Sequence, residues 1–441
     1  MNNITETGAT LQLLKLTDVG PAEEFEFEPA PRLNIITGDN GLGKTFLLDC
    51  AWWALTGEWA GAKAYPYQAT MQRLPGKVEQ QNGAKRTPSI AFQIGKNGRQ
   101  SPVYEARYNR GLNDWSRDSQ RPTLLPGLSI FAQADGSFTI WDPAKLLWAD
   151  MNPHAEALLR LSRSQVWNGV RKEQDGEEVV PCPGLLQDWI YWQNADKPLF
   201  DIFSAALKTL SPHPTETLIP GPATRLPPDG RAIPTLKFSY GEVPITLCSA
   251  GIQHFLALAY VLVWAWNEHI VISGYINRAP EHSIILLIDD IETHLHPFWQ
   301  RTIIPALMDV LQKLTGQVQT QILLATHSPL ILASLEPIFD EKSDKLFHLY
   351  LEDSSVKLEH VPFVKRGRVD RWLISDLFGL QQARSKDAEE AIEEAKRLQQ
   401  VREPTTEEVK AVSDKLLKTL AEDDDFWHRW TYFAEQRGVL V

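Results

Sequence analysis

The stretch Gly38-Asp39-Asn40-Gly41-Leu42-Gly43-Lys44-Thr45 decides the fold. It follows an apolar run at residues 33–36 and precedes a second one at residues 46–48. A glycine-rich loop between a strand and a helix can wrap a triphosphate with its backbone N–H groups, and the helix N-terminus adds a favourable dipole. The pattern predicts that Lys44 reaches the outer phosphates and that the Thr45 hydroxyl holds Mg²⁺.

The composition is that of a folded, acidic protein. The chain has 441 residues, 43% of them apolar, and a formal net charge of −12. It is long enough for two or three domains and unlike a uniformly basic nucleic-acid binder. Its three cysteines, Cys50, Cys182 and Cys248, lie far apart without metal-ligand spacing, which is typical of reduced thiols in a cytoplasmic protein.

No membrane segment is predicted. The chain opens without a basic-then-apolar leader, and its longest apolar run, residues 255–266, is too short to cross a bilayer. That run predicts a buried core helix.

Hydrophobic periodicity predicts an α/β protein with an antiparallel β lobe. Residues 10–37 alternate apolar and polar side chains up to the strand before the glycine-rich loop, and residues 89–94 and 102–108 indicate a further strand pair. Residues 284–288 and 321–325 are continuous apolar runs, as in buried parallel strands.

Changes in composition divide the chain into four predicted segments. Residues 1–141 form the lobe with the glycine-rich loop, and residues 142–232 form an inserted helical, tryptophan-rich subdomain that ends in a linker. Residues 233–350 form a C-terminal lobe, and residues 351–441 form a charged helical tail suited to oligomer or partner contacts.

Two amphipathic helices are predicted in the tail, at residues 387–401 and 407–421. Apolar positions at spacings of three and four give each helix one apolar face, and Thr405 with Glu408 fits a capping box for the second. The apolar faces serve either packing onto the rest of the chain or docking of a partner.

A predicted buried strand ends in two carboxylates, Asp289 and Asp290. Beside the glycine-rich loop, Asp289 is suited to hold the Mg²⁺ bound by Thr45, and Asp290 to position or deprotonate an attacking water. Taken alone, the same pair also fits a solvated acidic turn.

Three further features of the sequence are suited to a nucleotide site. Ser249 and Gly251 open a long apolar helix and would offer a hydroxyl, N–H groups and a positive dipole end to an anion, although an ordinary serine N-cap explains them as well. His327 follows a buried strand, where a lone histidine is more often structural than catalytic. Gln133 follows a short strand and would be placed to touch Mg²⁺ or the water, but alone it says little.

Together these residues resemble the motif set of an ABC-type ATPase. The segments and the motifs that they resemble are residues 38–45 (Walker A), Gln133 (Q-loop), Ser249-Ala250-Gly251-Ile252-Gln253 (the signature Ser-x-Gly-x-Gln), residues 285–290 (Walker B) and residues 325–329 (the switch-histidine loop). The run Asp289-Asp290-Ile291-Glu292-Thr293-His294-Leu295-His296-Pro297 is similar to that of RecF/SMC/OLD-type ATPases rather than membrane transporters. Compact chains of this kind resemble the ATPase subunits of bacterial antiphage systems such as Septu.

The resemblance implies a fold, a site and a mechanism. The fold is an α/β ABC-type P-loop ATPase head with an antiparallel β lobe, an inserted helical subdomain and a helical C-terminal tail. Such heads form homodimers, or higher even-numbered oligomers, that close around two ATP molecules. The implied ATP-binding residues are Gly38, Asn40, Gly41, Gly43, Lys44 and Thr45 of one copy with Ser249, Gly251 and Gln253 of the other. The implied Mg²⁺ ligands are Thr45, Gln133 and Asp289, and the implied catalytic residues are Asp290, His327, Gln133 and Glu292.

One position departs from the family pattern. Asp290 stands where the family has glutamate, so its carboxylate is drawn back by about 1 to 1.5 Å, and a misplacement of about 1 Å can cost on the order of 10²-fold in rate. The sequence therefore predicts slow hydrolysis and long-lived ATP-bound dimers.

The spacing of the motifs narrows the implied role. Residues 134–248 are too few for the coiled coil of an SMC protein, and the part after Ser328 offers no convincing metal-carboxylate set of a Toprim nuclease. By analogy with Septu-type systems, an effector activity would come from another polypeptide, first of all an HNH nuclease. The leading hypothesis is an ATP-hydrolysing switch subunit that controls such an effector in antiphage defence. The alternatives are a RecF-like DNA-repair ATPase that binds duplex DNA and a non-catalytic ATP-dependent scaffold.

Overall fold

The structure is a computed structural model. It describes residues 6–66, 87–96, 99–117, 124–149, 151–152, 154–174, 176–211, 217–228, 230–293, 295–316 and 318–441. The chain divides into two compact units, Met1–Lys365 and Arg366–Val441. The first unit contains every candidate site residue, and the second is built of helices.

The described residues form twenty strands and thirteen α-helices. The strands are, in chain order, β1 (Glu6–Val19), β2 (Ala22–Phe27), β3 (Leu33–Gly38), β4 (Ser89–Lys96), β5 (Arg99–Gln100), β6 (Tyr104–Asn109), β7 (Asp114–Arg117), β8 (Leu124–Pro126), β9 (Leu128–Ala132), β10 (Phe138–Trp141), β11 (Leu158–Leu161), β12 (Val170–Gln174), β13 (Glu177–Cys182), β14 (Ile219–Pro220), β15 (Thr235–Phe238), β16 (Gly241–Pro244), β17 (Ser283–Asp289), β18 (Gln319–Ala325), β19 (Asp344–Glu352) and β20 (Ser355–Val361). The helices are α1 (Lys44–Thr56), α2 (Pro143–Trp148), α3 (Arg163–Asn168), α4 (Leu185–Ala195), α5 (Lys197–Leu210), α6 (Ala250–Tyr275), α7 (Pro297–Gln300), α8 (Ile303–Thr315), α9 (Pro329–Leu335), α10 (Val369–Leu373), α11 (Lys386–Gln400), α12 (Thr406–Thr419) and α13 (Phe426–Glu435).

A mixed eight-stranded sheet carries the site. Its strand order is β11-β10-β9-β17-β18-β3-β19-β20, and the five inner strands from β9 to β19 run parallel. Strands β3, β9 and β17 are buried along their whole length, as expected of a parallel sheet covered on both faces. Because parallel strands end at one edge, the loops after β3, β9, β17 and β18 meet there. The predicted buried strands at 284–288 and 321–325 are confirmed as β17 and β18.

The predicted antiparallel lobe is a second sheet, whose strand order is β2-β1-β4-β6-β7. Two more strands belong to it: β5 pairs with β4, and β8 pairs with β1. Alternate residues of β1, β2 and β4 point into one apolar core, which they share with the buried face of α1. Trp52 and Trp53 of α1 supply the largest side chains of that face. The core therefore fixes the helix that begins at the glycine-rich loop.

Helix α6 is the core helix that the apolar run predicted. Among the described residues it is the one helix long and apolar enough to cross a membrane, and 78% of its apolar window is buried inside the protein. It packs on β9, α2, α5 and α8. Buried packing of this kind is typical of a core helix.

Residues 142–232 differ in part from the predicted helical subdomain. Helices α2 to α5 are present, but β11 joins the central sheet and β12 and β13 form a charged hairpin. Most side chains of the hairpin are at least partly exposed, so it has no strong apolar alternation from which a strand could be predicted.

The predicted start of the helical tail at residue 351 also needs correction. Strands β19 and β20 extend the central sheet to Val361, and the second compact unit begins at Arg366. Asp353 and Ser354 join these strands with φ of +46° and +66°, a tight hairpin turn that lacks the usual glycine signal.

The second unit has a small core of its own. The apolar faces of α11 and α12 pack together with Trp430 and Ala434 of α13, so in this unit they cover one another. The Trp430 indole donates to the Ser413 hydroxyl at 3.0 Å. The predicted capping box of Thr405 and Glu408 is confirmed at the start of α12.

Candidate ATP site at the sheet edge

The glycine-rich loop between β3 and α1 has a backbone that needs glycine. Gly38 has a φ of +144°, and a Cβ there would lie 2.2 Å from the backbone oxygen of Leu349 on β19. Gly43 has a φ of +97°, and its added Cβ would lie 2.9 Å from Pro21. At Gly41, φ is +82° and no described atom lies within 4 Å of an added Cβ. The ends of the loop are therefore tightly packed, while its middle is not.

Lys44 begins α1 and is buried against the loop. Its Nζ donates to the backbone oxygens of Gly38 at 2.9 Å and Asp39 at 3.2 Å, and Asn40 is exposed at the rim. The first turn of a helix carries N–H groups without intrahelical partners, so this turn and the lysine together form a positive surface. Such a surface suits phosphate oxygens. Nucleotide contact by residues 38–45 stays a prediction that this geometry supports.

Thr45 and Asp289 meet at the edge of the sheet. The Thr45 hydroxyl donates to Oδ2 of Asp289 at 2.8 Å, which joins the start of α1 to the end of β17. Burial raises the pKa of Asp289 to about 6, and the neighbouring carboxylates Asp290 and Glu292 add to the rise, whereas Thr45 and Lys44 oppose it. A buried carboxylate in this setting is stabilised by a bound cation.

The donor set fits Mg²⁺. Oδ1 of Asp289 is buried and has no hydrogen-bond partner among the described residues, so it remains available as an oxygen ligand. Mg²⁺ in phosphate-processing sites takes hydroxyl and carboxylate oxygens and keeps several waters. Gln133, the third predicted ligand, directly follows β9, but its Oε1 accepts from the Ser137 hydroxyl at 2.6 Å within its own turn. The structure therefore joins two of the three predicted ligands by a direct contact.

Asp290 and His327 form a second pair at the same edge. Nδ1 of His327 donates to Oδ1 of Asp290 at 3.0 Å, and the Asp290 N–H donates to the Ala325 carbonyl at 3.1 Å. Asp290 has a φ of +46°, a left-handed conformation that aspartate tolerates better than most residues. His327 is half exposed and Asp290 is 23% exposed, so both can be reached from solvent.

Glu292 lies beneath this pair. Its Oε1 accepts hydrogen bonds from the Thr326 hydroxyl at 2.6 Å and the His327 N–H at 2.8 Å, and burial raises its pKa. Its side chain is 3% exposed, so it holds the loop after β18 from below. The predicted catalytic role of Glu292 stays untested, and its geometry is that of a positioning residue. Ligand atoms of Asp290, Glu292 and His327 all lie within 4.8 Å of one another.

The signature residues lie at the start of α6. Ser249 is the N-cap and its hydroxyl accepts from the Ile252 N–H at 3.4 Å, while Gly251 lies in the first turn. Gln253 anchors the preceding loop, donating to the Thr246 and Cys248 carbonyls, each at 3.1 Å. In the described part of the chain, no hydrogen bond joins these signature residues to the glycine-rich loop. Within one copy, the described hydrogen bonds of Ser249 and Gln253 therefore stay within α6, the loop before it and α3.

Sequence reasoning missed two side chains near these motifs. Arg163 on α3 donates to Oε1 of Gln253 at 3.3 Å, and only the fold brings them together. Asp49 on α1 is an unpredicted carboxylate whose pKa is raised to about 7, by burial first and by the charge of Asp289 second. Asp49 comes four residues after Thr45, and residues at this spacing share a helix face. The sequence could therefore have indicated that the two side chains lie close together.

Two protein-family models match separate parts of the chain. The model described as "AAA domain, putative AbiEii toxin, Type IV TA system" matches residues 195–333, and the model described as "AAA domain" matches residues 14–125. The first interval contains the signature, the two aspartates and the switch histidine, and the second contains the glycine-rich loop.

Curated relatives include a Septu protein and a retron ATPase. Septu protein PtuA of Bacillus thuringiensis is 27% identical over 165 residues, which cover 36% of this chain and 38% of that protein. The "Retron Ec83 probable ATPase" of Escherichia coli is 29% identical over 103 residues, which cover 23% of this chain and 16% of that protein. The chain thus spans well under half the length of the curated relatives that it matches.

Similar solved structures include an SMC head bound to the C-winged helix domain of ScpA and the recombination mediator RecF. The SMC head is 14% identical with a TM-score of 0.43, covering 80% of this chain and 97% of that chain. RecF is 12% identical with a TM-score of 0.37, covering 81% of this chain and 99% of that chain. The motifs, their meeting at one sheet edge, the two AAA-domain matches and the curated relatives together make this chain similar to ABC-type ATPases, among them the Septu ATPase.

Proposed function

We propose that this chain binds and hydrolyses ATP with Mg²⁺, and that two copies close around two ATP molecules to form a nucleotide-dependent switch. The observation that supports this best is the meeting of two pairs at one sheet edge. Thr45 contacts Asp289 beside Lys44, and Asp290 contacts His327 one residue further along. The first pair suits a metal and the second suits an attacking water.

The proposed chemistry assigns each side chain a separate task. Lys44 and the first turn of α1 neutralise the phosphates, and Thr45 with Asp289 and Gln133 holds Mg²⁺, which supplies charge stabilisation when it is bound. Asp290 orients the water and takes its proton, while His327 holds the Asp290 carboxylate through Nδ1. Glu292 keeps the His327 backbone in place. Because Asp290 is one methylene shorter than glutamate, turnover is slow.

The second half of each site comes from another copy in this proposal. Ser249 and Gly251 are at least partly exposed at a helix N-terminus, and no described hydrogen bond ties them to the loop of their own chain. An interface with two-fold symmetry brings the same surface of each copy against the other, so each copy donates its signature to its neighbour. ATP then stabilises the closed pair.

The effector is a separate protein in this proposal. The similarity to Septu PtuA and to a retron ATPase supports a role in bacterial antiphage defence, in the cytoplasm, with a partner such as an HNH nuclease. The closed and open pairs differ in the surface that they offer, so ATP controls the partner by shifting this equilibrium.

Complementation between two inactive variants tests the composite site. Lys44→Ala removes phosphate binding, and Gly251→Asp places a negative charge against the phosphates of the neighbouring copy. Each variant alone should lose ATP hydrolysis, whereas an equal mixture should recover up to about a quarter of it, because half of the pairs then contain one intact site. Gly230→Asp, at an exposed glycine with no described atom within 4 Å of its Cβ position, is the matched control and should retain full activity. An inactive mixture would count against a site shared between copies, and full activity of Lys44→Ala would count against ATP hydrolysis itself.

A further inference from the structure

Asp49 is a carboxylate that the motif set does not use. It lies on α1 one turn beyond Thr45, so the two side chains share a helix face. Its Oδ1 is buried and has no hydrogen-bond partner among the residues that the structure describes. Burying a carboxylate oxygen without a hydrogen-bond partner lowers the stability of the folded state, so its presence in a folded protein requires an explanation.

Asp289, at the end of β17, is a charged residue near Asp49. Oδ1 of Asp289 is likewise buried without a partner in the described chain, while its Oδ2 accepts from Thr45. Burial raises the pKa of Asp49 to about 7, and the charge of the nearby Asp289 carboxylate adds to the rise. Two carboxylates in one buried region repel each other unless a cation lies near them.

Gln133 also lies near Asp49. A Cβ added to Gly61 would lie 3.5 Å from Nε2 of Gln133 and 3.7 Å from Oδ1 of Asp49. The amide and the carboxylate therefore flank the same narrow gap, which the missing side chain of Gly61 leaves open. Asp49 thus shares a helix face with Thr45, flanks a gap with Gln133 and lies within the electrostatic reach of Asp289.

We propose that Asp49 is a positioning residue of the magnesium site, whose carboxylate accepts hydrogen bonds from metal-bound water and from the Gln133 amide. Mg²⁺ sheds its waters reluctantly, so acceptors around those waters contribute to where the ion lies. Carboxylates in this outer position orient the ligands and tune metal affinity. The inference rests on the proposed ATP site, and it adds a residue that acts through water and Gln133 rather than by touching the ion.

The test separates metal binding from nucleotide binding in the full chain. Affinity for a nonhydrolysable ATP analogue is measured calorimetrically in EDTA and at increasing Mg²⁺, for the wild type, Asp49→Asn and Asp49→Ala. Both variants should bind the analogue in EDTA at least as well as the wild type, because a negative charge near the phosphates has been removed. Both should need about 10- to 100-fold more Mg²⁺ for the metal-dependent gain in affinity. Mn²⁺ electron paramagnetic resonance with the analogue should show the same loss of affinity.

Glu58→Gln is the matched control, because it removes a carboxylate just beyond the end of α1 whose side chain is 63% exposed. It should leave the Mg²⁺ requirement unchanged, and melting temperatures in EDTA verify that every variant is folded. An unchanged Mg²⁺ requirement in both Asp49 variants overturns the inference while leaving the ATP site in place. A wild type that binds no analogue, or binds it equally with Lys44→Ala, overturns the proposed function and this inference with it.

Discussion

Asp49→Asn should stabilise the folded chain at neutral pH, because the native structure buries a carboxylate there. Burial, with the charge of Asp289, raises the pKa of Asp49 from 3.8 to about 7. In the unfolded chain the group titrates near its ordinary value, so between about pH 4 and pH 7 the folded state binds more protons than the unfolded state. Stability is therefore lost as pH rises through this window, by up to about 4 kcal/mol at pH 8.

Asparagine keeps the shape of Asp49 and removes its charge, so the variant should recover this loss. The expected gain is about 4 kcal/mol at pH 8 and about 2 kcal/mol at pH 5, where the unfolded group is ionised and the folded one is not. For a unit of this size, the gain at pH 8 corresponds to a rise of about 5 °C in melting temperature. Scanning calorimetry in EDTA without nucleotide measures it, with Glu58→Gln as the control that shows no such rise. An equal gain at both pH values, or a loss at pH 8, would refute the reasoning.

Three other substitutions test separate parts of the structure. Asp290→Glu should speed ATP hydrolysis by up to about 10²-fold, measured by steady-state phosphate release. It should also lower stability by about 1 kcal/mol because residue 290 has a left-handed backbone, measured by thermal melting. An unchanged or lower rate contradicts the account of slow turnover. Gly38→Ala should destabilise the fold by about 2 to 5 kcal/mol because its Cβ would meet the backbone of β19, whereas Gly41→Ala should cost about 1 kcal/mol; equal melting temperatures of the two variants contradict this. Trp430→Ala should cost the second unit about 3 to 5 kcal/mol and raise hydrogen exchange across α11 to α13, while Tyr432→Ala, at a residue that is 68% exposed, should not; matched exchange in both contradicts the described core.

The parts of the site that depend on backbone shape could be predicted from the sequence. The glycines at positions 38, 41 and 43 indicated a loop with a left-handed backbone, and the continuous apolar runs before Asp289 and His327 indicated buried strands of a covered sheet. Once the strands are parallel, their ends share one edge, so the pairing of Thr45 with Asp289 follows from topology. These features are local in sequence or follow directly from one rule of sheet geometry.

Contacts between side chains of distant segments could not be predicted from the sequence. Glu292 was predicted to be catalytic, which stays a prediction, whereas the hydrogen bonds of its Oε1 with the Thr326 hydroxyl and the His327 N–H were not predicted. The contact of Arg163 with Gln253 joins α3 to α6 across the fold, and no periodicity indicates it. Strand β20 lies within the segment predicted as a helical tail, and its turn at Asp353 and Ser354 has no glycine that would have indicated a hairpin.

Sedimentation velocity on the full chain, with Mg²⁺ and a nonhydrolysable ATP analogue, tests the central claim most directly. The account predicts that the analogue shifts the wild-type chain to a larger assembly with an even number of copies, and that Gly251→Asp binds the analogue through Lys44 without assembling. Gly230→Asp should assemble as the wild type does. An assembly state that is the same with and without the analogue, or a Gly251→Asp variant that assembles normally, would contradict the claim that two copies share each ATP.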